Sequence, residues 1–307
     1  MRKLALVGLA LSFFACDRRA PAHTPAAPST AEAPPVEHAP ASPVERPSEP
    51  VVVPLPDPVE VELAASQGVV LHGSLYPASD PGAPAVILVH QLGSSRAEWA
   101  TVIDALRESP TLTVLAIDLR GHGQSVRGAH GEDVSYGAFA TDDWAHTSDD
   151  VRAFVAYLRS EGAPVHPSRI AVVGSSIGAT AVVRAAVEDP SLDVIATLSP
   201  GRAYRGVDSI LVALPIGPRA FFALASREEL DSVETAEALA RLTGGRVEIV
   251  DGHGHGVQIL AESPDTLTTL ATFLRESLAA PPAATRQPTA DPTAVEPSGD
   301  PTTEPTP

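Results

Sequence analysis

The sequence predicts an α/β fold with a mostly parallel central sheet of about eight strands, helices on both faces, and no large lid domain. Short, almost continuously apolar segments recur through the middle of the chain, as expected for strands that are buried on both faces of a sheet. Segments with a helical period separate these apolar segments. Strands and helices that alternate in this way form parallel sheets wrapped by helices, so this is the expected architecture.

The predicted elements follow one another in chain order. The first two strands, at 59–63 and 70–76, alternate apolar and polar residues around Gln67-Gly68, which predicts an antiparallel hairpin. The later strands are predicted at 85–89, 112–117, 170–173, 194–198, 220–225 and 247–250. Helices are predicted at about 98–109, 148–161, 177–188, 232–243 and 264–278.

One folded domain is expected, at residues 59–280. Residues 16–58 and 281–307 are rich in Pro, Ala, Thr and Glu, and segments of this composition bury too little apolar surface to offset the entropy of the chain. We therefore predict a disordered linker and a disordered tail. Residues 1–15 carry two basic residues and then an apolar run that is short for a membrane span, which is typical of a secretory signal.

Cys16 is the only cysteine of the chain and directly follows this apolar run. The segment resembles the lipobox of bacterial lipoproteins, although Phe13 stands where leucine is usual. The resemblance implies that Cys16 is lipidated after export and anchors the protein to a membrane of the bacterial cell envelope, with simple cleavage as the alternative. A single cysteine excludes an intramolecular disulfide. The net charge of −17, without a run of Lys or Arg, argues against nucleic acid as a partner.

The strongest chemical motif is Gly174-Ser-Ser176-Ile-Gly178, which lies between a predicted buried strand and a predicted helix. A G-x-S-x-G in this position forms a tight turn that exposes the hydroxyl of its central serine. We therefore predict Ser176 as a nucleophile, with Ser175 as a weaker alternative because its flanking residues do not fit the motif.

A serine nucleophile needs a general base and a carboxylate that orients the base. His253 and His255 lie in a glycine-rich loop after the last predicted strand, and Glu229 and Asp231 follow the strand before it. This order of serine, acid and histidine suits the fold. A His-x-His pair can also bind a metal ion, but no third ligand is evident, so we expect neither a metal nor a cofactor.

Together these motifs resemble the α/β-hydrolase superfamily over about 59–280, especially its dienelactone-hydrolase-like and small serine esterase branches. The resemblance implies His255 as the base, from the motif Gly-His-Gly, and Glu229 as the acid, from alignment of Ser226 with a Gly-x-x-Asp motif. Asp231 is kept as the alternative acid.

Two further loops carry the resemblance. His90-Gln91-Leu92 is similar to the loop that contributes to the oxyanion hole, although Gln91 replaces the usual glycine. The resemblance implies the N–H groups of Leu92 and Ile177 as oxyanion donors. The loop 118–125 is similar to an Asp-x-Arg-Gly-x-Gly-x-Ser turn with a structural role, so His122 is not expected to be catalytic.

The expected activity is hydrolysis of a small-molecule carboxylic ester through an acyl-enzyme with a Ser-Glu-His triad. A peptidase or amidase on the same site, and a non-catalytic envelope binding lipoprotein on a hydrolase fold, are the alternatives. The sequence does not indicate an oligomeric state. Because 199–219 is too short for a cap domain and 126–147 is polar, we expect an open and shallow site for short acyl chains.

Overall fold

The computed structural model describes residues 55–108 and 111–282. The predicted signal at 1–15, Cys16, most of the predicted linker and nearly all of the predicted tail lie outside these residues. Within them, no helix is both long and apolar enough to cross a membrane.

A central sheet contains all eight predicted strands. They are β1 (Val59–Ala64), β2 (Val69–Tyr76), β3 (Ala85–Val89), β4 (Thr113–Ile117), β5 (Ile170–Ser175), β6 (Val194–Leu198), β7 (Ala220–Ser226) and β8 (Arg246–Val250). Their spatial order is β1-β2-β4-β3-β5-β6-β7-β8, and a short strand at Arg127–Gly128 pairs with β2. β2 is antiparallel to β1, to β4 and to the short strand, and the remaining neighbours are parallel. The mostly parallel sheet is therefore confirmed.

Eight α-helices accompany the sheet in the described residues. They are α1 (Ala100–Arg107), α2 (Thr141–Ala145), α3 (Thr147–Leu158), α4 (Ile177–Glu188), α5 (Ser209–Ala213), α6 (Leu230–Thr243), α7 (Gln258–Glu262) and α8 (Pro264–Ala279). The five longest match the five predicted helices. The three five-residue helices α2, α5 and α7 were not predicted, because one turn and a half is too short to show a helical period.

The core has two apolar layers, one on each face of the sheet. Ile87 and Val89 of β3 pack into the layer formed with α3, α4 and α6, whereas Val86 and Leu88 pack into the layer formed with α1 and α8. Successive side chains of a strand point to opposite faces, so a strand covered on both faces must be apolar at every position. This explains the continuous apolar segments of the sequence. The polar loops that carry the candidate site residues follow the carboxyl ends of β3, β5, β6, β7 and β8.

Candidate active site

Ser176 lies in the turn between β5 and α4, with φ 55° and ψ −114°. A non-glycine residue in this region costs of order 1–3 kcal/mol and persists only where the surrounding structure enforces it. Two glycines make the turn possible. A Cβ at Gly174 would lie 2.2 Å from the carbonyl oxygen of Gly178, and one at Gly178 would lie 2.4 Å from the carbonyl oxygen of Val89. The motif is thus needed for close backbone approach around a strained serine.

Glu229 and His255 come together from separate loops at the carboxyl edge of the sheet. The Nδ1 atom of His255 lies 2.5 Å from Oε1 of Glu229. An imidazole that donates its Nδ1 proton to a carboxylate leaves Nε2 as the basic atom. The pair therefore has the arrangement that a general base and its orienting acid require.

Ser199 supports this pair and was not predicted. Its hydroxyl donates to Oε2 of Glu229 at 2.5 Å and accepts the N–H of Gly256 at 2.9 Å. The hydroxyl thereby connects the acid to the backbone next to His255. The available signal in the sequence was the position of Ser199, a polar residue directly after the apolar strand β6.

The alternative site residues have other surroundings. Asp231 accepts the backbone N–H of Arg202 at 3.1 Å and has no contact with His255. His253 is exposed, and no hydrogen bond or ion pair joins it to the described residues. Ser175 is fully buried, with its hydroxyl 3.4 Å from Oε1 of Gln91. None of the three is placed as its alternative role would require.

The hydroxyl of Ser176 is hydrogen-bonded to Tyr204, with 2.9 Å between the two oxygens. No hydrogen bond joins Ser176 to His255 among the described residues. Apo active sites often show such loose geometry, and the catalytic hydrogen bond then forms when substrate binds.

In the loop after β3, hydrogen bonds fix the two peptides on either side of the Gln91 Cα. Nδ1 of His90 donates to the carbonyl oxygen of Gln91 at 2.8 Å, and the N–H of Gln91 donates to Glu98 at 3.0 Å. The N–H of Leu92 points away from the Gln91 carbonyl because the peptide is planar and trans. Neither this N–H nor that of Ile177 has a hydrogen-bond acceptor in the described part of the chain.

His90 is neutral in this loop. Burial lowers its pKa to about 4, although the hydrogen bond to Gln91 acts in the opposite direction. Its Nε2 accepts the backbone N–H of Leu119 at 3.0 Å, which requires that atom to carry no proton. Burial likewise raises the pKa of Glu98. Both groups are therefore held closer to neutrality than they would be in water.

The turn at 118–125 is built around two arginines. Arg120 forms a fully buried ion pair with Asp150, with 2.6 Å between Nη2 and Oδ1, and Arg96 pairs with Asp118. His122 is buried and stacks on Tyr136, with 4.2 Å between ring centroids. The contacts give this turn the structural role that was predicted for it.

An aromatic cluster contacts Ser176 through Tyr204, and this corrects the expectation of an open site. Ser176 is 3% exposed. The cluster consists of two residues that follow β3 and β5 and of residues from two further segments, 136–145 and 204–212: Leu92, Ile177, Tyr136, Phe139, Trp144, Ala145, Tyr204, Val207 and Val212. Val126 to Thr147 is therefore not simply a polar loop, because its few aromatic residues converge. Residues 55–108 and 111–282 contain no large lid domain, and short segments pack around Ser176.

Metal ligands are not gathered at the site. No group of three or more His, Cys, Asp or Glu side chains in the described residues is arranged to hold a metal ion.

Comparison with known proteins identifies the fold. A family model described as alpha/beta hydrolase fold matches residues 84–206. An esterase of Pyrococcus furiosus is 19% identical and covers 72% of this chain and 91% of its own, with a TM-score of 0.57. A dienelactone hydrolase of Anabaena variabilis is 21% identical and covers 72% of this chain and 96% of its own, with a TM-score of 0.53. A search of curated proteins finds no match. The chain has the α/β-hydrolase fold, and at these identities the likeness is one of fold alone.

Proposed function

We propose that the protein is a serine hydrolase that cleaves carboxylic esters of small molecules through an acyl-enzyme on Ser176. The observation that carries the proposal is the hydrogen bond between His255 and Glu229 on the loops beside a strained serine turn. Fold alone does not determine activity, so the proposal depends on these side chains. The esterase and the dienelactone hydrolase of the same fold support the choice of an ester as substrate.

The first half of the reaction forms the acyl-enzyme. Nε2 of His255 takes the proton of the Ser176 hydroxyl while Oγ bonds to the carbonyl carbon of the ester. Glu229 remains ionised and stabilises the imidazolium that results. The bond to the leaving oxygen then breaks, and His255 gives the proton to that oxygen, so an alcohol departs.

The second half returns the enzyme to its starting state. Water gives a proton to His255 and attacks the acyl carbon, and the bond to Ser176 Oγ breaks with the return of that proton. In both halves the negative charge on the carbonyl oxygen is stabilised by the N–H groups of Leu92 and Ile177. One such donor contributes about 10²–10³-fold to kcat.

Labelling with a fluorophosphonate tests the proposal directly. The purified full-length protein should be labelled on Ser176, as found by mass spectrometry, and should hydrolyse p-nitrophenyl acetate. Ser176→Ala should abolish both. His255→Ala should reduce hydrolysis to a similar degree, because triad members act as a unit. His253→Ala is the matched control, and it should retain most activity. Undiminished turnover by Ser176→Ala would refute the mechanism.

We also propose that the protein is exported and anchored to a bacterial envelope membrane through a lipid on Cys16. The proposal rests on the resemblance of the first sixteen residues to a lipoprotein signal. A lipid anchor of this kind holds a soluble domain at the membrane without a spanning helix.

A further inference from the structure

Tyr204 is placed directly on the proposed nucleophile by a short hairpin. Residues Ala203–Tyr204 pair with Val207–Asp208, and the connecting residues Arg205 and Gly206 both have positive φ, as a tight hairpin turn requires. The Tyr204 hydroxyl lies 2.9 Å from Oγ of Ser176. The hairpin thus brings a phenol to the atom that would attack the substrate.

Packing holds this phenol in place. A Cβ at Gly201 would lie 2.6 Å from the Tyr204 ring, so the ring occupies space that only glycine leaves free. The guanidinium of Arg205 lies 5.6 Å from the centre of the Trp144 ring, which ties the hairpin to α2. The Tyr204 hydroxyl is therefore preorganised, as a catalytic hydrogen-bond donor must be.

The position of Tyr204 beside Leu92, Ile177 and the Ser176 hydroxyl indicates its role. Its ring belongs to the aromatic cluster that also contains Leu92 and Ile177, the two residues whose N–H groups are the proposed oxyanion donors. The oxyanion would be bonded to the carbon that Oγ attacks. Because the Tyr204 hydroxyl lies 2.9 Å from Oγ, the phenol would be within reach of that oxygen.

We propose that Tyr204 is a catalytic residue that donates a third hydrogen bond to the oxyanion. The inference rests on the proposed function of Ser176. In the resting state the Ser176 hydroxyl donates to the phenol oxygen of Tyr204. When Oγ gives its proton to His255 and attacks, the phenol O–H donates to the substrate oxygen. The O–H bond of Tyr204 stays intact throughout, so the proton transfers remain those of His255.

The surroundings of Tyr204 keep its hydroxyl protonated, so that it can donate a hydrogen bond. Burial raises its pKa, the negative charges of Glu229 and Asp231 raise it further, and the hydrogen bond to Ser176 lowers it. The phenol therefore keeps its proton at neutral pH and does not compete with His255 as a base.

The experiment removes the hydroxyl and measures hydrolysis of two esters by the full-length protein. For Tyr204→Phe we expect kcat/KM to fall about 10²–10³-fold with both p-nitrophenyl acetate and ethyl acetate. Affinity for a trifluoromethyl ketone, whose adduct with serine carries an oxyanion, should fall by a similar factor. Tyr157→Phe, which removes a phenol from α3, is the matched control and should leave all three values unchanged.

Each other result overturns the inference in a defined way. An unchanged or higher rate would mean that Tyr204 only covers Ser176. A much larger loss with ethyl acetate than with p-nitrophenyl acetate would make Tyr204 a donor to the leaving group, because only the former needs that help. A loss confined to KM would make it a binding contact. If the fluorophosphonate did not label Ser176 in the wild type, or if the wild type hydrolysed neither ester, the proposed function itself would be refuted.

A second variant covers the case in which Tyr204→Phe does not fold, as judged by circular dichroism. Gly201→Ala keeps the phenol but places a methyl group where the ring now lies. It should lower kcat/KM for both esters equally and weaken binding of the trifluoromethyl ketone. Wild-type values in a folded Gly201→Ala protein would overturn the inference.

Discussion

Acid should destabilise this protein through His90, because the folded state binds a proton at that side chain far less readily than the unfolded chain does. Burial lowers the pKa of His90 from 6.5 to about 4. The hydrogen bond at Nε2 gives the same direction, since a proton on Nε2 would face the N–H of Leu119, which is itself a donor. The hydrogen bond from Nδ1 to Gln91 acts in the opposite direction but is outweighed by burial. Between these two pKa values the unfolded chain binds more protons than the folded protein, so stability rises with pH across this range.

The magnitude follows from the difference between the two pKa values. At 1.36 kcal/mol per pH unit, a fall from pH 7 to pH 4 should cost about 3 kcal/mol of unfolding free energy through His90 alone. This is a large part of the 5–15 kcal/mol that a domain typically has. A loss of this size should be visible in a urea titration.

Comparison with a variant isolates His90 from the other groups. Burial also lowers the pKa of His122 and raises those of Glu98 and Asp150, and the carboxyl groups act in the opposite direction as the pH falls. These contributions are shared by His90→Gln, whose side chain does not titrate, and largely cancel in the difference. His130→Gln, at an exposed position, serves as the control.

Urea unfolding should be followed by circular dichroism at pH 4, 5, 6 and 7 for the three proteins. The wild type should be more stable than His90→Gln at pH 7, and the advantage should shrink by about 3 kcal/mol at pH 4. The His130→Gln protein should follow the wild type. A constant difference between wild type and His90→Gln at all four pH values would refute the argument, because it would mean that His90 does not titrate abnormally.

Two further predictions concern the acid and the anchor. Glu229→Gln should lower kcat for p-nitrophenyl acetate by about 10²–10⁴-fold, because an amide cannot hold the imidazole in the required tautomer, whereas Asp231→Asn should have little effect; similar small losses in both variants would mean that the acid lies elsewhere. Cys16→Ser should move the protein from the membrane to the soluble fraction of the producing cells, as loss of a lipid anchor requires, and continued membrane association would point to an uncleaved signal.

Most of the sheet could be predicted because a buried strand requires consecutive apolar residues, and this requirement is local in the sequence. A strand such as β3, covered on both faces, must be apolar at consecutive positions, and this pattern is visible in five residues. The predicted and observed bounds of the helices differ by a few residues, because the end of a helix is not marked by an apolar period. α6, for example, begins at Leu230 and not at 232, because its first turn is set by the loop that carries Glu229 and not by an apolar period.

The candidate acid and base could be predicted only in part from the sequence. Chain order and family resemblance selected Glu229 and His255, and the structure brings these two side chains to 2.5 Å. The sequence alone left Asp231 open, since both carboxylates lie within one turn of the start of α6. What separates them is the direction in which each side chain points, which depends on the packing of the loop and not on spacing.

The aromatic cluster beside Ser176 could not be predicted because it is made of contacts between distant segments. Tyr136 and Trp144 are more than fifty residues from Tyr204, and each stands in a segment that is otherwise polar or short. Averaged over such a segment, a few aromatic residues look like ordinary loop composition. In the fold they pack together with Ile177, directly after Ser176, and form a small apolar cluster. If Ser176 is the nucleophile, as proposed, a substrate must fit beside these side chains and replace the hydrogen bond between Oγ and Tyr204. We therefore expect the shape of this cluster to limit which acyl groups the site accepts.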